Sequence, residues 1–320
     1  MNRKSILMLV VPLALAGAAA RAQSDLGSPK AERTFSASYK QAVEAAFPRY
    51  EDAALQGRLN ALVQKYPAGR DTLQIRKVDQ LERAMSLPHV TAQPGQLRIV
   101  TPEREYEVDP AEGRVFLLQK PSAPRPMTPA QVKELKPQVS AFHDDVLKRI
   151  GIPAEEILYR STDVIMGQGV TNPARGAPQK TPPVVHGVRT YVLRAIDGVQ
   201  VEGSSASLVS QAAGRVDALD VRWPPFAFAP QLKTLAIRNR GQVQAAIASR
   251  LEGLARGAKV SLKMAVVLRQ VQAGNQRYYV PAMKVGMRTE GEGEGIVFYE
   301  SLTGQPLPEP RGQSDSPSGG

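Results

Sequence analysis

The chain has 320 residues, ordinary apolar content and no cysteine. It is long enough for two or three small cores, and the missing cysteine excludes disulfides, thiolate catalysis and Cys-based zinc sites. The formal net charge is +11 and unevenly spread: residues 231–289 hold eleven Lys or Arg against one acid, Glu252, a local excess that points to an anionic partner.

The first 22 residues read as a secretory signal peptide. Arg3 and Lys4 start it, residues 6–20 are apolar but for Pro12 and Gly17, and Ala20-Arg21-Ala22 is a small-x-small cleavage site before Gln23. The apolar run is shorter than the roughly 20 residues of a spanning helix. The alternative is an uncleaved N-terminal anchor. Cleavage removes Arg3, Lys4 and Arg21, taking +11 to +8. The expected product is periplasmic or secreted, with no membrane span after signal cleavage.

A first unit, 23–120, follows. Leu55, Leu59, Leu62 and Tyr66 make a helical stripe ending at Pro67. Residues 73–78, 96–101, 105–108 and 115–118 are short strand candidates. The stretch "PSAPRPMTP" reads as a linker into a second unit, 128–224. There Thr128 caps a helix with Pro129 in its first turn and Gln131 three residues on. Val132, Leu135, Val139, Phe142, Val146 and Ile150 form its apolar stripe, and Gly151 and Pro153 end it. Strands are expected over 157–166 and 184–196, with Asp197-Gly198 as a hairpin turn and a last strand over 216–223.

"PPFAFAPQ" reads as the next linker, into a basic third unit, 232–307. Val243, Ile247, Leu251 and Leu254 predict a helix closed by Gly257. Strands over 260–268, 277–285 and 296–300 complete it, and 308–320 reads as a disordered tail. The expected fold class is therefore α+β: tandem repeats of one helix followed by an antiparallel three- to four-stranded meander. A recurring phrase supports this. "AEGRV", "AAGRV" and "LTGQP" place Gly113, Gly214 and Gly304 in the late hairpin turn of each unit, where positive φ favours glycine.

These endings carry a resemblance. "EVDPAEGRVFLL" and "LVSQAAGRVDAL" resemble the strand–turn–strand close of bacterial exported PepSY-type repeats, and "TYVLRAIDGVQVEG" resembles a hairpin of the cell-wall-regulator accessory proteins YycH and YycI. The resemblance implies a helix-plus-meander module without catalytic residues, exported, and restraining a peptidase or sensing the state of the envelope.

No reaction is written in the sequence. His143, beside Asp144 and Asp145 on a helix, reads as a surface residue, because adjacent helical positions do not converge on one metal. His186 lies on a strand and His89 in no recognisable pattern. "GSSAS" at 203–207 is not a nucleophile elbow and reads as a polar strand edge or bulge. "EGEGEG" at 290–295 lacks the rigid cage calcium needs. No catalytic, metal or cofactor residues are therefore assigned. Lys263, Arg269, Arg277 and Lys284, with Tyr278 and Tyr279 nearby, form the one candidate binding face, for an anion. The expected function is a non-enzymatic exported protein that binds an envelope protein or peptide. The alternatives are binding of an anionic polymer (glycan, lipopolysaccharide or nucleic acid), and a hydrolase whose site is assembled from distant residues.

Overall fold

The structure is a computed structural model that describes residues 35–91, 96–120, 127–167, 170–171, 179–180, 184–228, 236–273, 276–291, 295–304 and 307. The signal segment, residues 121–126 and 229–231 of the two linkers, and the tail lie outside these residues. The helices are α1 (Tyr39–Ala46), α2 (Asp52–Lys65), α3 (Val78–Met85), α4 (Pro129–Arg149) and α5 (Arg240–Ala255). The strands are β1 (Arg98–Val100), β2 (Arg104–Asp109), β3 (Arg114–Gln119), β4 (Ile157–Gly167), β5 (Val170–Thr171), β6 (Gln179–Lys180), β7 (Val184–Ile196), β8 (Val199–Ser210), β9 (Ala218–Arg222), β10 (Val260–Ala273), β11 (Gln276–Thr289) and β12 (Ile296–Ser301).

Ten strands form one mixed sheet, and β5 and β6 pair separately. The expectation of tandem helix-plus-meander repeats is overturned by this sheet. Repeats would each close their own meander, but here β3 of the first segment pairs antiparallel with β9 of the second. Strand β8 of the second pairs in parallel with β10 of the third, at Gln200–Val267 and Val201–Leu268. The physical reason is that backbone groups pair wherever an edge is available, and local turn chemistry does not decide which distant strand fills it.

The sheet divides at β8. One edge of β8 is taken by β7. The other edge serves β10 near its start and β9 from Ser205 to Val209. Between the two, the β7–β8 register jumps, so that Arg194 alone opposes residues 201–204. Gly203, inside this bulge, has φ +75. A large bulge of this kind turns the strand and lets one edge hand over from one neighbour to the next.

The chain folds into two units, each with its own packing. The first combines 35–47 with Gln244–Met264 and Val285–Phe298. In it Ser36 forms a two-way backbone bridge with Val260, and the Tyr39 hydroxyl donates to the Ala258 carbonyl and accepts from the Gly257 N–H. The Arg250 guanidinium lies over the Phe298 ring. The second unit holds Pro48–Val243, Ala265–Lys284 and the chain from Tyr299. Its core lies between α3, α4 and one face of β2, β3, β9, β8 and β7. Tyr106, Val108, Val115, Leu117, Leu219, Val221, Leu208 and Val192 alternate inward against Leu81, Met85, Val146 and Ile150, the period-two and 3.6-residue patterns meeting face to face.

Three local readings change. Residues 73–78 form no strand; Val78, Leu81 and Met85 are instead the buried stripe of α3, with the Gln80 side chain accepting from the Arg76 and Lys77 N–H groups. The described part of the "PPFAFAPQ" linker, 224–228, reaches the core: Phe226 is buried, packs against Tyr66, Phe228 and Tyr279, and bridges Arg70. Apolar aromatics in a Pro-rich stretch outweigh its turn-forming residues. The α4 stripe is rotated, so Val139, His143, Val146 and Ile150 face inward while Val132 and Leu135 are only half-buried.

The turn glycines separate. Gly113 (φ +58) joins β2 to β3, and Gly214 (φ +92) lies between β8 and β9. Gly304 (φ +76) follows β12, the last described strand, and joins no described pair. A Cβ at 113 would overlap the Trp223–Pro224 backbone, whereas one at 214 meets nothing. Gly113→Ala should therefore cost about 2–4 kcal/mol and Gly214→Ala only the left-handed penalty of about 1–2 kcal/mol. Urea melts of the two variants check this; equal losses would contradict the packing difference.

Candidate functional site

The four basic residues singled out from the sequence do not make one free cationic face. Lys263 is exposed on β10 and belongs to the first unit. The other three belong to the second, where each is engaged. Lys284 Nζ donates to Glu202 Oε1 at 2.9 Å, and the Tyr299 hydroxyl donates to the same oxygen at 2.9 Å. The Arg269 guanidinium stacks over the Tyr299 ring at 3.8 Å. Burial, with the Glu202 charge beside it, holds the Tyr299 phenol well above its usual pKa. Arg277 pairs with Glu112 at the β2–β3 turn. Elsewhere Lys259 pairs with Glu290, and Arg238 with Glu300. The cationic segment finds its acids in distant parts of the chain, which a count along the sequence does not reveal.

His143 is not a surface residue. It is fully buried, with Nδ1 at 2.8 Å from Thr190 Oγ1 and Nε2 at 2.8 Å from Ser210 Oγ. Thr162 continues the chain of hydroxyls from Thr190, and Ser140 from Thr162. Burial, with Arg160 nearby, lowers its pKa to about 4. The neutral imidazole donates from one nitrogen and accepts at the other, so both hydroxyls are satisfied without a charge. A serine beside a histidine suggests a nucleophile and base, but Ser210, Thr190 and His143 are all sealed from solvent. The set pins α4 to β7 and β8. His186 is exposed, and His89 bonds Glu82 at 2.9 Å.

A second buried polar set surrounds Glu156. Its carboxylate accepts from Arg70 Nε, from Arg194 Nε at 2.8 Å and from Trp223 Nε1 at 3.1 Å. Arg194 is wholly buried, lies over the Trp223 ring at 5.1 Å and donates through Nη1 to the Pro224 carbonyl at 2.6 Å. Neither Glu156 nor Arg194 stands out in the sequence. The sole Trp, followed by two prolines, is the only local sign of this centre.

The opposite face of the sheet carries a mixed set of polar, charged and aromatic side chains. The side chains there lie in cross-strand rows. Glu107, Phe116, Asp220, Ser207, Tyr191 and Ser161 face one another across β2, β3, β9, β8, β7 and β4. The next row runs Asp109, Arg114, Arg222, Ser205, Leu193 and Tyr159. Most of these residues are half-buried, whereas Tyr191 is buried. Arg114 pairs with Asp220 and stacks on Phe116 at 5.4 Å. Arg222 is exposed and stands directly opposite Arg114, with no acidic partner among the described residues. Like charges in register destabilise a sheet, and here Asp220 offsets one of the two by pairing with Arg114.

Among the described residues no group of three or more His, Asp or Glu is placed to hold a metal ion. No helix among them is long and apolar enough to cross a membrane. No family model matches the chain, and no curated protein does.

Two outcomes follow from the buried sets. The folded pKa of His143 lies below its ordinary 6.5, so the folded state excludes a proton that the unfolded chain accepts. Its contribution is complete above pH 6.5 and is lost as pH falls toward 4, by about 3 kcal/mol in total. His143→Gln keeps hydrogen-bonding capacity and should flatten that part of the stability curve between pH 7 and 4.5, as followed by urea melts at each pH. Glu156→Leu strands the Arg194 charge and should cost about 3–5 kcal/mol, while the double change with Arg194→Met should cost less than the single one. Chemical denaturation of both variants decides it.

Proposed function

We propose that this chain is a non-enzymatic, exported binding protein that holds a protein or peptide partner against the open face of its sheet. One observation carries the reading: the exposed Arg222, set opposite Arg114 and beside Phe116 on a half-buried polar face. Arginine and aromatic side chains are the residue types that dominate protein interfaces. An unpaired guanidinium in register with another favours a partner presenting a carboxylate. The signal-like first 22 residues support the export part of the proposal. Restraint of a peptidase, implied by the PepSY resemblance, remains one use of such a surface.

Binding of an anionic polymer draws less support. Its best residues, Lys284 and Arg277, already serve Glu202 and Glu112, and a polymer would have to displace those acids.

Site-specific photo-crosslinking tests the proposal. A photoreactive residue at 116 or 207, in the full chain exported by its host, should give a defined protein adduct, whereas one at the exposed helix position Glu134 should not. The adduct should survive high salt and be lost on Arg222→Glu. Adducts only from position 263, or capture abolished by about 0.5 M salt, would transfer the function to polyanion binding.

A further inference from the structure

The large sheet ends in three strands, β1, β12 and β4, each paired on one side only among the described residues. A free edge offers unpaired N–H and C=O groups to another chain, and short edge strands limit that offer. β1 has three residues and β12 six, whereas β4 has eleven. β4 also lacks the usual guards. It contains no Pro and no Lys. Its one cation, Arg160, is turned back onto α4, with Nε on Asp144 Oδ1 at 2.9 Å and Nη2 on Ser140 Oγ at 2.6 Å. Its one acid, Asp163, stands opposite Arg189 of β7. Register shifts lie only at the two ends, between Ile157 and Tyr159 and between Ile165 and Met166. Just outside the regular run are Leu158 and Met166, 45% and 59% exposed.

We propose that β4 pairs antiparallel with β4 of a second copy of this chain, about a two-fold axis through Thr162. The strand's own pattern selects this occupant and this register. Residues directly opposed in an antiparallel pair share a face, and a two-fold axis normal to the sheet keeps each residue on its face, so the axis passes through a residue. An axis at Arg160 or at Asp163 would set like charges against each other. Thr162 is the midpoint of Ile157–Gly167, so an axis there overlaps the whole strand. It sets Leu158 against Met166 twice, covering both exposed apolar side chains, and places Arg160 against Val164 and Asp163 against Ser161. Thr162 meets its own copy, a favourable cross-strand pair.

The full chain has no cysteine, so introduced thiols report without background. Opposed residues of an antiparallel pair have Cα atoms about 4.5–5.5 Å apart, within reach of a disulfide. Thr162→Cys should give a covalent dimer on mild oxidation, and Glu134→Cys, exposed on α4, should not. Mixed Leu158→Cys and Met166→Cys chains should cross-link to each other and not to themselves, at positions where folding does not depend on the side chain. Sedimentation over a concentration series should show the unaltered chain reaching twice its monomer mass. Leu158→Lys with Met166→Lys, both exposed, should weaken that association roughly ten-fold or more. A monomer at every concentration with no selective cross-link would overturn the proposal. A dimer that the two lysines leave unchanged would place the contact elsewhere and overturn the assignment to β4.

Discussion

The salt bridge between Glu156 and Arg194 is the interaction on which the second unit depends. Glu156 lies in the short 3₁₀ turn Ala154–Glu156 between α4 and β4, and Arg194 sits near the end of β7. Their contact is fully enclosed. Through Trp223, Pro224 and Arg70 the same two side chains tie down the exit from β9 and the segment after α2. A buried pair of this kind adds little net stability over an apolar pair of the same shape. Its contribution is to specify one arrangement, because any other packing strands a charge. That role fits its position opposite the bulge where β8 changes neighbours.

Division of the sheet has a consequence for the surface. With α3 and α4 covering one face of β2, β3, β9, β8 and β7, the other face is left to side chains that alternate outward. They are serines, aromatics and charged groups rather than a second apolar layer. Much of the ionic chemistry is satisfied internally, as Glu202 shows by taking both Lys284 and Tyr299. Arg222 is set apart by lacking such an acid among the described residues.

Local elements were legible in the sequence and their assembly was not. The α4 cap at Thr128, the Asp197-Gly198 turn and the long alternating strands β7, β10 and β11 follow from short-range patterns, and the structure has them at or near the expected residues. Pairing of β3 with β9 and of β8 with β10 joins residues far apart in the chain, and no period in either strand names its partner. His143 shows the limit at the level of one residue. Its spacing from Val139 and Val146 places it on the buried stripe as well as any apolar residue would be placed, yet its polarity argued for the surface; the two hydroxyls that reverse that argument come from β7 and β8. Phe226 was hidden in the same way, by prolines that mark turns without saying whether the turn is covered. The basic segment misled most, because neutralisation by Glu202, Glu112 and Glu300 is a property of the folded chain alone.

The bridge between Ser36 and Val260 sets an order of events in time. The first described segment of the chain completes its backbone pairing with a strand that begins more than two hundred residues later. During synthesis, α1 and its neighbours must wait while α4 and the β7–β8 hairpin, whose contacts are far more local, are already able to form. This early segment is therefore among the last to be secured. A chain halted before α5 would carry Val43 and Phe47, both buried in the finished protein, without the later segments that complete their unit.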